Sequence, residues 1–226
     1  MPIEININNL HGINLFHADC MEIMKQLPDK WADLAICDPP YGINIISNGQ
    51  VGGEKCAKVS QYQPSKWDIS IPKGTYFNEL MRVSENQIIW GGNYMIEYLD
   101  NTPCFIVWDK DNTGNFADAE LAWTSYKTPT RIFKYRWNGM LQQIMKDKED
   151  RIHPTQKPVQ LYKWLLKNYA SPDFKIIDTH LGSGSSAIAA YDFGCDFVGC
   201  EIDKDYYEAA LKRFETYKLQ TKLQFT

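Results

Sequence analysis

The sequence predicts an α/β fold: a mostly parallel, doubly wound sheet with helices on both faces. Three observations support this. Short apolar runs that read as strands alternate with stretches of helical period along the chain. Four of those runs end at an acidic residue, Asp19, Asp38, Asp178 and Glu201, as strand ends lining one crevice would. With 226 residues, 44% hydrophobic and 13% aromatic, the chain can bury one sizeable core.

In chain order, residues 13–20 read as a strand ending at Asp19, followed by a short helix with Met21, Met24 and Leu27 inward. Residues 32–37 form a second apolar run that delivers Asp38. Residues 42–66 are rich in Gly, Asn, Ser, Gln and Lys and lack periodicity. They predict a long mobile loop of the kind that is functional in compact domains. A helical stretch at 76–83 precedes strands at 87–90 and 104–108. Residues 110–150 are polar, with strand-like pieces near 121–125 and 130–135, and read as a small insertion. Pro158 opens a helix carrying Leu161, Trp164 and Leu165 on one face, where its missing N–H costs nothing. A strand at 174–178, a small-residue helix at 186–193 and a strand at 196–200 come next. The last helix begins near Asp203 and places Tyr207, Ala210, Leu211 and Phe214 at i, i+3, i+4 and i+7. No internal repeat is visible.

Composition narrows the function classes. No apolar run approaches the ~20 residues of a membrane span. The first ten residues lack a signal-peptide profile. The six cysteines (20, 37, 56, 104, 195, 200) have no metal-ligand spacing and read as reduced thiols of a cytoplasmic protein. The net charge is −4, yet residues 127–163 hold nine basic residues against three acidic ones. Such a local excess on an acidic protein fits a nucleic-acid face, with Lys127, Arg131, Lys134 and Arg136 foremost. A solvated surface would read the same way.

The stretch with most chemistry is Asp38-Pro39-Pro40-Tyr41. Pro39 drives Asp38 towards an extended backbone, and neither proline has an N–H to give. The segment therefore offers a carboxylate, carbonyls and an aromatic face, which suits an amino group on a flat ring and not a phosphate. A strand-ending turn would also favour Asp and Pro. The second motif is Gly182-Ser183-Gly184 after a strand and before a helix, with Glu201 seventeen positions on from Gly184. The glycines admit close backbone approach, and Glu201 is placed for ribose hydroxyls; a tight strand–helix turn with Glu201 as a helix-start carboxylate would read the same way.

Together these motifs resemble the permuted, β-type DNA amino-methyltransferases, above all the small adenine-specific enzymes of bacteria and their phages. The resemblance rests on the order of six pieces across residues 13–215. They are Asp38-Pro39-Pro40-Tyr41, Trp90-Gly91-Gly92-Asn93-Tyr94, Val107-Trp108-Asp109-Lys110, the segment 119–123, His153-Pro154-Thr155-Gln156-Lys157-Pro158, and Asp178 to Gly184 with Gly199 to Asp203. It implies a Rossmann-like methyltransferase fold with S-adenosylmethionine (SAM) as cofactor. Glu201 with Ile202 would sit at the ribose, and Asp19 with Cys20 near the adenine. Asp178, His180, Gly182, Ser183, Gly184 and Ser185 would lie beside the methionine end, Thr155 and Lys157 near its carboxylate, and Asp38 at the border of both ligands. The family's glycine loop usually reads Asp-Pro-Phe-x-Gly-Ser-Gly-Thr; here Thr179, His180 and Ser185 replace Pro, Phe and Thr, and His180 reads as a packed histidine. The implied reaction is methyl transfer to the N6 amino group of a flipped adenine in double-stranded DNA. Asp38, Pro39, Pro40 and Tyr41 would be catalytic, with no metal, no membrane and a homodimer left open. The setting would be a bacterial cytoplasm, with a restriction-modification or phage context. N4-methylation of cytosine and the same chemistry on RNA stay open, as does a non-catalytic nucleic-acid-binding module. A nicotinamide dehydrogenase is disfavoured by the missing third glycine.

Overall fold

A computed structural model describes residues 4–43, 50–51, 60–61, 68–111, 117–138 and 141–224. The strands are β1 (Ile13–His17), β2 (Ala32–Cys37), β3 (Gln50–Val51), β4 (Ser60–Gln61), β5 (Ser84–Trp90), β6 (Phe105–Asp109), β7 (Ala119–Thr124), β8 (Arg131–Lys134), β9 (Trp137–Asn138), β10 (Leu141–Gln142), β11 (Lys175–Asp178) and β12 (Asp196–Glu201). The helices are α1 (Cys20–Met24), α2 (Gly74–Val83), α3 (Val159–Tyr169), α4 (Ser185–Phe193) and α5 (Lys204–Gln224).

Eight strands form one sheet in the order β1-β12-β11-β2-β5-β7-β6-β8. All neighbours pair in parallel except those involving β7, which runs against both β5 and β6. Each strand alternates between two cores because successive side chains point to opposite faces. Leu34, Ile36, Ile88, Trp90 and Ile176 meet the side covered by α3, α4 and α5. Ala35, Cys37, Ile89 and Ile177 meet Ile23, Tyr76, Phe77 and Leu80, in or beside α1 and α2, on the other. Both faces are thus covered, as the near-continuous apolar runs of a parallel sheet require.

The doubly wound architecture expected from the alternation is present. Boundaries differ in detail. β1 stops at His17, and Asp19 instead caps α1, its Oδ1 accepting from Met21 N at 2.8 Å. β5 begins at Ser84, directly after α2. Asp203 caps α5 by accepting from Asp205 N and Tyr206 N. Residues 119–124 and 131–134, read from sequence as parts of a small insertion, are strands of the main sheet. Beyond them, two buried glutamines hold the β9–β10 ladder and the turn to α3. Gln142 bonds both backbone groups of Glu149, and Gln156 bonds Ile152 N and Asp150 O. Most of the stretch expected as a mobile loop at 42–66 lies outside the described residues, as does Cys56. No helix among the described residues is long and apolar enough to cross a membrane.

The strand order reverses direction between β11 and β2, which are neighbours with Ile176 opposite Leu34. Chains leaving their carboxyl ends diverge there and open a crevice. Asp178 ends β11, and Asp38 comes directly after β2.

Candidate active site

The Asp38 side of the crevice is a network of side chains. Tyr41 Oη donates to Asp38 Oδ1 at 2.7 Å. Lys157 Nζ lies 2.6 Å from the same oxygen, 3.0 Å from Tyr41 Oη and 3.0 Å from Glu120 Oε2. Lys110 pairs with the other oxygen of Glu120. Among the described residues, Asp38 Oδ1 therefore takes two donors and Oδ2 none. The lysine is 3% exposed, so its charge is met by three side-chain oxygens in place of bulk solvent. Burial raises the Asp38 carboxyl above its usual range despite the pull of Lys157. Burial would raise Glu120 too, but Lys157 and Lys110 outweigh it and bring it down to about 2. Burial also works against the Lys157 charge, and the two carboxylates more than offset it.

The loop that carries Asp38 is fixed from outside. Buried Asp68 accepts from Tyr41 N at 2.8 Å and Gly42 N at 3.0 Å. Gly91 sits against the Tyr41 ring with φ +67°, and a Cβ there would come 2.2 Å from the ring. Only glycine fits both the conformation and the space. Tyr94, half exposed, stacks on Tyr41 with centroids 5.2 Å apart and planes 16° from parallel.

The other side of the crevice is built mainly from backbone. Asp178 accepts from His180 N at 3.0 Å and Ser186 Oγ at 2.6 Å, and burial lifts its carboxyl to about 7. Gly182 and Gly184 take φ +51° and +74°. Glu201 accepts from Gly182 N at 2.9 Å and Asp203 N at 3.0 Å, which ties the glycine loop to the end of β12. Arg213 of α5 donates to Ser183 O and Ser185 Oγ and pairs with Glu149 at 2.5 Å. Glu149 in turn caps α3 by accepting from Val159 N. The buried His153 ring lies beside Gly182, packs on Tyr206 at 4.3 Å and is pushed down to about 3 by burial. His17 pairs with Glu201 in register, which brings the Asp19–Cys20 turn next to the end of β12.

The structure places the other expected site residues as follows. Lys157, which the resemblance puts near a cofactor carboxylate, is enclosed by Asp38, Tyr41 and Glu120. Thr155 bonds the ring of His153. His180 is packed: its Nδ1 contacts Thr179 Oγ1 at 2.9 Å, its ring meets Tyr76 edge-on, and burial lowers it to about 4. Tyr76 also bonds Thr179 Oγ1 at 2.6 Å, so two of the three residues that depart from the family loop are held by α2. Ile202 is 64% exposed. The basic face is smaller than the sequence count. Lys134 and Arg136 share Asp111, Lys163 pairs with Asp192, and Lys157 is buried, whereas Lys127 and Arg131 are exposed. Their acidic partners come from outside the 127–163 window, which no local count can see.

Sequence reasoning gave no role to Glu120, Lys110, Glu149, Arg213 and Tyr94. Glu120, Lys110 and Tyr94 had one signal, their places in the motif segments 119–123, 107–110 and 90–94. That Glu120 reaches the crevice depends on β7 running antiparallel, which puts the start of that strand beside the ends of the others.

Comparison with known proteins bears on the family and the fold. The type II methyltransferase M2.DpnII of Streptococcus pneumoniae is 23% identical over 250 residues, covering 92% of this chain and 91% of its own. The structure of M1.HpyAVI in complex with SAM superposes with a TM-score of 0.54 at 21% identity, over 89% of this chain and 99% of that one. The PvuII DNA methyltransferase, which is cytosine-N4-specific, reaches 0.61 at 11% identity, over 90% of this chain and 86% of that one. The N6/N4 family described as DNA methylase matches residues 85–212, more than half of the chain and from β5 into α5. That stretch includes Glu120, Lys157, the glycine loop and Glu201, and the chain is therefore a member of the N6/N4 DNA methylase family.

Proposed function

We propose that this chain transfers the methyl group of SAM to the exocyclic N6 of an adenine flipped out of double-stranded DNA. The observation that carries the reading is the setting of Asp38. It is a largely buried carboxylate with one oxygen uncommitted among the described residues, at the switch point, one strand away from the glycine loop. When bound, SAM supplies an electrophilic methyl group on a cationic sulfur.

The residues of the second half fit that ligand. Glu201 keeps lone pairs for hydroxyls after taking two N–H groups. Gly182 and Gly184 present bare backbone, and the exposed Ile202 side chain offers an apolar face. Asp19 and Cys20 stand at the adjoining strand end, with Ser183, Ser185 and His180 shaping the loop. Thr155 remains a candidate for the anionic end, and Lys157 is engaged by Asp38, Tyr41 and Glu120.

The work of Asp38 is positional and electrostatic. An aromatic amino nitrogen is a poor nucleophile because its lone pair is delocalised into the ring. Asp38 Oδ2 and the Pro39 carbonyl would accept its two N–H groups and favour the pyramidal nitrogen of the transition state. Tyr41 and the half-exposed Tyr94, stacked on each other, would supply the aromatic face for the flipped base. Lys127 and Arg131, exposed and without an ion pair among the described residues, are candidate phosphate contacts.

Asp at the head of the motif favours adenine, by resemblance to the adenine enzymes of the family. The site would also accept the N4 amino group of cytosine, as in the cytosine-N4-specific neighbour. Methylating mixed duplex DNA with labelled SAM, digesting it and separating the nucleosides by mass decides between them. N6-methyl-2′-deoxyadenosine as the main product supports the proposal; methylated 2′-deoxycytidine overturns the base and keeps the reaction. Label on RNA alone overturns the polymer.

A further inference from the structure

We infer that Glu120 is a positioning residue for methyl transfer: it holds the Lys157 ammonium on one oxygen of Asp38 and leaves the other charged and free for the amino group. The inference rests on the reading of Asp38 given above. It starts from an oddity. A cation in the wall of a pocket for an amino group repels the positive charge that group develops on attack. Lys157 is nevertheless there, 2.6 Å from Asp38 Oδ1 and 3% exposed.

Charge counting resolves it. Asp38 and Lys157 alone would neutralise each other and leave a weak acceptor. Glu120 Oε2, buried and 3.0 Å from Nζ, shares the lysine and draws part of its charge off Asp38, so that Asp38 keeps acceptor strength while the four groups, Lys110 included, balance. Lys110 neutralises the other oxygen of Glu120 and so tunes how strongly it pulls. The geometry divides the labour on Asp38. Oδ1 takes Tyr41 Oη and Lys157 Nζ, which fixes both the carboxylate and the stacking ring, and Oδ2 is left over. A preorganised acceptor of this kind needs no reorganisation when charge develops. The charged or titratable groups that act on Asp38 are Tyr41 from its own loop, Lys157 just before α3, Tyr162 within α3, Glu120 on β7 and Asp178 at the end of β11. Only Glu120 and Lys110 are altered in the test, so the others act as a constant background.

The test uses the full chain, SAM and duplex DNA. Removing the Glu120 charge lets Lys157 act fully on Asp38 and lowers its pKa. Glu120→Gln should therefore cut kcat tenfold or more, keep the SAM Kd within twofold, and move the acid limb of kcat/KM to lower pH. Glu120→Asp should recover part of the loss. Lys110→Gln removes a positive charge instead and should move the limb to higher pH, a shift of opposite sign that does not require the Glu120 variant to fold. The Asp38 carboxyl, followed by NMR on aspartate-labelled protein, should titrate in the same two directions without any substrate. A uniform loss of activity with an unmoved limb and an unmoved Asp38 titration means that Glu120 only supports the fold, and the inference is wrong. Wild-type protein that methylates no DNA sinks the functional reading separately, because the substrate-free titration judges the coupling by itself.

Discussion

The two halves of the crevice are built in different ways. The Gly182 half is made of backbone: two glycines at positive φ, and one carboxylate receiving two N–H groups from residues close along the chain or on the neighbouring strand. The Asp38 half is made of side chains from distant positions, with 38 and 41 after β2, 110 after β6, 120 on β7 and 157 before α3. A backbone device can be altered gradually. A buried charge network fails when one member is removed, because the remaining charges lose their partners.

The sharpest way to expose that difference is Asp38→Asn. The amide keeps the shape but donates where the site must accept. Methyl transfer should fall about 10³-fold, roughly 4 kcal/mol at the transition state. The SAM Kd, measured by calorimetry, should stay within a factor of two. Equal loss of both would mean that the crevice is not divided as described.

The same difference decides what the sequence reveals. The glycine loop is legible because its parts are local: a strand, two glycines, a helix and an acid one strand later. Asp38 is legible for the same reason, since Pro39 and Pro40 fix its backbone in place. Its partners are not. Lys157 reads as near the site, but a motif gives no hint that its three neighbours are oxygens from two other elements. Glu120 is hidden because a period-two pattern marks a strand and does not give its direction. The excess of positive charge over 127–163 is real in composition but weakened in space by Asp111, Asp192, Asp38 and Glu120.

One charge pair crosses into the backbone half. Arg213 holds Ser183 O and Ser185 Oγ while paired with Glu149, whose other oxygen caps α3. Arg213→Met would strand the Glu149 charge in a largely buried site, where breaking a pair costs roughly 3 kcal/mol or more. Urea unfolding should show a loss of about that size, and SAM binding should weaken with it. A loss under ~1 kcal/mol would mean that the glycine loop stands on its own backbone.

His153 offers a test by pH. Its folded pKa is lowered from about 6.5 to about 3. The unfolded chain therefore binds the extra proton between those values, and folding is favoured above about 6.5 and penalised as pH falls towards 3. Between pH 7 and pH 5 wild type should lose on the order of 2 kcal/mol relative to His153→Phe, which has nothing to titrate there. Denaturant melts at the two pH values give the difference directly. Parallel stabilities would mean that the ring is protonated in place, against its burial beside Gly182.

The smallest expected effect concerns Glu201, and it asks whether the backbone half binds through a carboxylate at all. Glu201→Ala removes the acceptor for ribose hydroxyls and also frees Gly182 N and Asp203 N. Glu201→Gln keeps one carbonyl oxygen for one of those N–H groups. SAM affinity should fall at least tenfold in the alanine variant, about 1.4 kcal/mol, and less in the glutamine variant. The ordering matters more than the size. If Glu201 acts only by tying the loop, the glutamine variant should bind almost as wild type does. If it acts only on the ligand, the two variants should be equally weak. Each oxygen already holds one N–H, and the proposed ribose contact would add a second role to the same carboxylate, so an intermediate glutamine value is the expected result. Unchanged calorimetry in both variants would remove Glu201 from the cofactor site and leave it as the strut between β12 and the glycine loop.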